Sequence, residues 1–127
     1  TGVASIKDIK KISKKYKKIN FMHTTLSLNT NKANILAIET MRKAIKNKKI
    51  SFTLHSKNDE VIIPAVLLGA DPIFFYVKNN DKRFYPDDLH AIKLDELKAR
   101  IELWKKIKSS MGNGIKKKLP VPRWVYV

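Results

Sequence analysis

Three residue types in this chain could do chemistry: histidines, carboxylates and a dense set of lysines. The histidines, His23, His55 and His90, occur singly, without the HExxH-type spacing that sets two imidazoles on one helical face for zinc. Each reads as a surface or core histidine, and no metal-ligand set is expected. The carboxylates Asp71, Asp81, Asp87 and Asp88 fall at successive turn signals. On one rim they would hold Mg²⁺ for phosphodiester chemistry. Pro86-Asp87 followed by Glu96-Leu97-Lys98 also imitates a PD…ExK nuclease signature. The gap is too short for the hairpin such a site needs, and residues i and i+2 of a helix do not face each other. Asp is in any case at home in turns, where its side chain bonds the local backbone. No GxGxxG or GKS/GKT loop is present to cradle phosphates. With no cysteine there is neither a thiol nucleophile nor a disulfide framework. The expectation is a protein that is not an enzyme and carries no cofactor. A small Mg-dependent nuclease using Asp71, Asp87 or Asp88 is the remaining catalytic alternative.

The lysines point elsewhere. The formal net charge of +16 is segregated: +6 over residues 1–20, +5 over 21–50, −1 over 51–100 and +6 over 101–127. Charge of that size repels itself unless a polyanion neutralises it, and nucleic acid is the commonest polyanion. Candidate phosphate contacts in the first helical stretch are Lys10, Lys11, Lys14, Lys15, Lys17 and Lys18. Lys46, Lys48 and Lys49 end the second helix, and Lys116, Lys117, Lys118 and Arg123 lie on a C-terminal arm. Phe74, Phe75, Tyr76, Phe84 and Tyr85 fall on two strands expected to be neighbours, which would offer a stacking platform. Lys78, Lys82, Arg83 and Tyr85 are then the candidates for base contact. Each phosphate neutralised releases a counterion, giving a salt slope of roughly −0.7 to −0.9 per contact.

These groups need elements to hold them. Ser5-Ile6-Lys7-Asp8 opens like a capping box, and Ile6, Ile9, Ile12, Tyr16 and Ile19 recur at helical spacing within residues 1–20. Residues 20–31 read as a loop or short strand, and residues 32–49 as a second helix with Ile35, Ile38 and Ile45 on one face. From residue 50 the period changes. Ile50, Phe52 and Leu54 alternate with Ser51, Thr53 and His55, the pattern of a half-buried strand. Val61 to Gly69 reads as a long bent strand with Pro64 at an edge or bulge. Turn signals at Gly69-Ala70-Asp71-Pro72 and Asn79-Asn80-Asp81 separate further strands at 73–77, 83–85 and 89–94. Residues 95–111 repeat apolar positions every three or four residues, and Gly112-Asn113-Gly114 stops that helix. In the arm, 112–127, Trp124 and Tyr126 need a partner surface, either protein or nucleic acid.

The order of helix, bent strands, tight turns and short last strand resembles the Sm-like fold, and within it the bacterial Hfq branch, over residues 32–94. The resemblance rests on Met41-Arg42-Lys43-Ala44-Ile45 leading into Ile50-Ser51-Phe52-Thr53-Leu54, and on Asn58-Asp59 before Val61 to Leu68. Asp71 before Phe74 to Asn79, and Tyr85 with His90-Ala91-Ile92, complete it. Pro64 stands nearest to the family's strand glycine, and Pro-Asp-Asp-Leu separates Tyr85 from His90. Such a resemblance implies a ring-forming RNA-binding barrel.

The sequence therefore predicts one α+β domain over 1–127. It would be a small, strongly bent antiparallel sheet or SH3/Sm-like barrel, with flanking helices and basic terminal arms. The expected role is non-catalytic nucleic-acid binding, to RNA or DNA, with open strand edges allowing a homo-oligomer. A structural component of a nucleoprotein particle, ribosome or virion, is the alternative. The longest apolar run, Val61 to Ala70, is about half of the ~20 residues a membrane span needs. No signal peptide is visible, so a cytoplasmic location, or one within such a particle, is expected and no membrane partner.

Overall fold

Helix α1 (Ile6–Lys15) starts at a complete capping box. Ser5 Oγ accepts from the Asp8 amide at 3.3 Å, and Asp8 Oδ2 accepts from the Ser5 amide at 2.9 Å. Two amides that no helical carbonyl can reach are satisfied in this way. Ile9 is buried and the lysines of α1 face water. The computed structural model describes residues 1–46, 48–81 and 83–118.

After α1 come strand β1 (Phe21–His23), a 3-10 turn at Thr30–Lys32, helix α2 (Ala37–Ala44) and strand β2 (Ile50–Thr53). A second 3-10 turn, Asp59–Val61, runs into helix α3 (Ile62–Leu67). Strands β3 (Ile73–Phe74), β4 (Val77–Lys78) and β5 (Ile92–Lys93) follow, and the long helix α4 (Leu94–Ser110) closes the order. Every pairing is parallel. Phe21 faces Ile50 and His23 faces Phe52 across β1–β2. Phe52 faces Ile73 across β2–β3, and Val77 faces Ile92 across β4–β5.

Parallel neighbours cannot be joined by tight turns and need crossovers, which α2 and α3 supply for the first sheet. The expected antiparallel sheet or SH3/Sm-like barrel is thereby overturned, and with it the meander over 50–94. The central strand shows why. Ile50, Ser51 and Phe52 are all buried, because helices cover both faces of a parallel sheet. Ser51 is accommodated by donating its hydroxyl to Phe21 O at 3.2 Å. Its place in the apparent alternation of residues 50–55 is thus a buried one.

The segment expected as a bent strand, 61–69, is helix α3. Asn58 Oδ1 accepts from the Glu60 amide at 2.9 Å to begin the turn. Pro64 then sits in the first turn, where its missing N–H breaks no helical bond. Gly69 (φ +73°) ends the helix. Its amide donates to Val66 O at 2.8 Å and the Ala70 amide to Ala65 O at 3.0 Å, a Schellman closure. The guanidinium of Arg42, from α2, donates to Leu68 O beside it.

The second helix is shorter than the 32–49 expected. Asn34 takes a left-handed conformation (φ +46°) before it, and Ile45 leaves helical geometry after it. Residues 83–85, expected as a strand, are irregular. Ile38, Leu54 and Ile62 are wholly buried at the centre of the core. Phe21, Phe52, Met41, Val66 and Trp104 join them, and with Ile9 of α1 they make one core to which all four helices contribute. No helix among the described residues is long and apolar enough to cross a membrane.

Candidate active site at the carboxyl ends of the strands

In parallel sheets the strand ends and the loops that follow them gather polar groups at the carboxyl edge. Here Leu54-His55-Ser56 leaves β2, while Phe75-Tyr76 leaves β3 and leads into β4. The turn 86–91 brings His90 against both. The His55 and His90 rings lie 4.9 Å apart, and Tyr76 meets His90 edge-on at 4.7 Å and His55 at 5.6 Å. His90 is buried at 8% exposure. Its burial holds its pKa below the ordinary imidazole value, and the neighbouring His55 adds to this. Asp87, whose Oδ1 is 3.6 Å from His90 Nε2, opposes the shift. The imidazole is therefore neutral at pH 7 and free to accept a proton or a hydrogen bond.

A cleft of about 250 Å³ opens beside it, lined by Lys57, Asp59, Lys78, Asp88, His90 and Arg100 among others. Three of these residues carry buried polar atoms with no hydrogen-bond partner: Asp59 Oδ2, Asp88 Oδ1, and both ring nitrogens of His90. Their other contacts are firm. Arg100 Nη1 donates to Asp59 Oδ1 at 2.7 Å and its Nη2 to Glu96 Oε2 at 3.1 Å, tying α4 to the turn before α3. Lys78 Nζ donates to Asp88 O at 3.0 Å and lies 3.6 Å from Asp88 Oδ1. Lys57 and Lys93 line the same cleft, and among the described residues neither has a carboxylate within 4 Å.

The residues expected to grip nucleic acid fall in several places, and four of them, Lys17, Lys18, Lys46 and Lys48, line one cavity. Lys10, Lys11, Lys14 and Lys15 project from α1. Lys17 and Lys18 sit with Lys46, Lys48 and Lys49 in loops at the amino ends of β1 and β2, opposite the cleft. Lys116, Lys117 and Lys118 are exposed beyond α4. Only Lys78 reaches the cleft, and it is occupied by Asp88. Arg83 donates to Asp81 Oδ2 at 2.9 and 2.7 Å, which holds the Asp81 carboxyl below its usual range. Tyr85 is half-buried and donates to the same oxygen at 3.3 Å; desolvation and the Asp81 charge raise its pKa. Lys82, Arg123, Trp124 and Tyr126 lie outside the described residues.

The carboxylates expected on one rim are dispersed as well. Asp71 pairs with Lys108 of α4, Asp81 with Arg83, and Asp88 with Lys78. Among the described residues no three His, Cys, Asp or Glu side chains gather as a metal site. His55, His90, Asp59, Lys57 and Arg100 were not singled out from the sequence as functional. The one signal was position: His55, Lys57 and Asp59 follow β2, which matters only once the strands are parallel, whereas His90, before β5, and Arg100, within α4, carried none.

The fold and the cleft define a parallel α/β protein with its polar site at the strands' carboxyl edge. The NeuB family profile matches residues 1–116, and the chain belongs to that family. In structure it is similar to a spore coat polysaccharide biosynthesis protein E of Chromobacterium violaceum. The TM-score is 0.71 at 18% identity, over 94% of this chain and 38% of that one. The chain thus spans well under half the length of that protein. No curated protein matches it in sequence.

These findings replace the Sm-like and Hfq resemblance. They also overturn the nucleic-acid-binding reading, with its RNA or DNA partner and its ribosome, virion or nuclease alternatives. Membership of the NeuB family overturns the expectation of a non-catalytic binder. The charge signal misled because net charge bears on solubility and non-specific association and does not select a particular ligand.

Proposed function

We propose that this chain carries part of the catalytic domain of a sialic-acid-synthase-like enzyme of polysaccharide biosynthesis, and that the carboxyl-edge cleft takes an acidic sugar or its precursor. One observation carries the reading: Asp59, Asp88 and His90 line a single polar cleft, and each holds a buried polar atom with no hydrogen-bond partner. A buried acceptor left unmade costs about 1–3 kcal/mol, so such atoms call for a ligand that donates hydrogen bonds. Sugar hydroxyls donate to carboxylates and to a neutral imidazole. Lys57 and Lys93 supply the opposite need, two unpaired cations for a ligand carboxylate or phosphate. His90, kept neutral by burial, is the group placed to take a proton from a bound hydroxyl. His55 and Tyr76 pack against its ring and fix its plane. Family membership and the polysaccharide-biosynthesis neighbour support the same class. A cytoplasmic setting belongs to this reading, since substrates that carry charge do not cross membranes unaided.

The test is imidazole NMR of the chain titrated with sialic acid to about 10 mM, beyond a Kd of ~1 mM, or ~4 kcal/mol of binding. The expected result is saturable movement of the His90 and His55 signals that Asp88→Asn abolishes and an uncharged hexose does not produce. No movement, or movement indifferent to Asp88→Asn, would remove the cleft as the site.

A further inference from the structure

At the opposite edge of the sheet lies a second cavity, of about 420 Å³, lined by Ser13, Lys17, Lys18, Asn20, Lys46 and Lys48 with Ile19. Its walls are the loop from α1 into β1 and the loop from α2 into β2, so both lie where the strands begin. Four lysines share this cavity, and among the described residues no acidic one lines it. Among the described residues none of the four has a carboxylate within 4 Å. The remaining polar groups, the Ser13 hydroxyl and the Asn20 side chain, can also donate.

One wall is fixed. Lys48 is half-buried, and its ammonium donates to Lys17 O and, at 3.4 Å, to Tyr16 O. Tyr16 is the C-cap of α1 and Lys17 the residue after it, so Lys48 caps the end of that helix through Tyr16 O and pins the two loops together through Lys17 O. An ammonium has three protons, and the third remains for another acceptor. Helix capping accounts for Lys48 alone. Lys17, Lys18 and Lys46 make no side-chain hydrogen bond to the protein among the described residues. Lysines crowded in one concavity repel one another and focus positive potential into it.

We propose that this cavity is a second ligand site, remote from the carboxyl-edge cleft, for a small multiply charged oxyanion of the pyrophosphate class. A concave group of ammonium point charges suits a compact ligand bearing several negative oxygens. A single orthophosphate would engage only part of the set.

The test is calorimetric titration of the full chain with pyrophosphate and tripolyphosphate, at about 0.15 M salt, where the Debye length is ~8 Å. Orthophosphate serves as the comparison ligand. Binding of one equivalent is expected, tightening from orthophosphate to tripolyphosphate and weakened at least ~10-fold in Lys17→Gln/Lys46→Gln. The control is Lys116→Gln/Lys117→Gln/Lys118→Gln, which removes more charge from a distant surface and should change affinity less than ~2-fold. Both variants alter exposed side chains, and their melting curves establish that they fold. Equal weakening in the two variants would show plain cation condensation and overturn the site, as would the absence of saturable binding. Sialic acid binding at the other edge should be unaffected by Lys17→Gln/Lys46→Gln, so the two readings fail separately.

Discussion

His90 illustrates how position, more than residue type, makes a functional group. In the sequence it is a lone imidazole with no partner at a useful spacing. In the fold it is buried against His55 and Tyr76, with Asp59 and Asp88 lining the same cleft. The depressed pKa has a consequence for stability. Below its ordinary pKa of 6.5 the unfolded chain takes up a proton that the folded chain refuses, so unfolding becomes easier as pH falls. Thermal melts between pH 7 and pH 5 should show the midpoint dropping, and His90→Gln should flatten that slope. An equally steep slope in the variant would assign the loss to other groups. Asp8, Glu39 and Asp81, whose carboxyls lie below their usual range, act in the same direction only at more acidic pH. None of this was legible from residue identity, because burial is a property of the assembled sheet.

At the scale of elements the sequence was legible where local chemistry decides and misleading where tertiary context does. The Ser5 to Asp8 capping box and the helical spacing of residues 94–111 are local signals, and α1 and α4 stand where those signals fall. Val61 to Leu68 is apolar at nearly every position, and such a run fits a buried helix as well as a buried strand. The deciding signal was present at its end. Gly69, one place past the C-cap Leu68, and Pro72 three further on form a helix stop. Gly69 is therefore a sharp test. A Cβ there would adopt a left-handed conformation and approach Arg42 Nη2 at 2.6 Å. Gly69→Ala should cost about 1–2 kcal/mol, from backbone strain and displacement of the Arg42 guanidinium from Leu68 O. Urea melts of Gly69→Ala in wild-type and Arg42→Gln backgrounds separate the two parts. A smaller cost in the second background is the expected outcome.

For the molecule as a whole, the +16 charge is a burden on the folded state that the fold distributes without neutralising. Six lysine or arginine ion pairs are present among the described residues, and one joins the two ends of the nearly neutral middle: Arg100 with Asp59. Raising salt from about 10 mM to 0.1 M shortens the Debye length from ~30 to ~10 Å and should raise the melting temperature. An unchanged midpoint would mean the lysines are already too far apart to repel. The parallel registers carry a different consequence, one of time. Phe21 and Ile50, Phe52 and Ile73, and Val77 and Ile92 are 29, 21 and 15 positions apart. Among the described residues no pair of strands is a hairpin that can zip up from a turn, so each must close a long loop before its first ladder bond forms. Refolding is then governed by chain diffusion and the prior assembly of α2 and α3. It belongs with the slow, non-local topologies that take milliseconds to seconds, on the order of a thousand times longer than helical bundles. During that interval the short strands present bare edges, and the mutual repulsion that burdens the finished protein keeps neighbouring chains from joining through them.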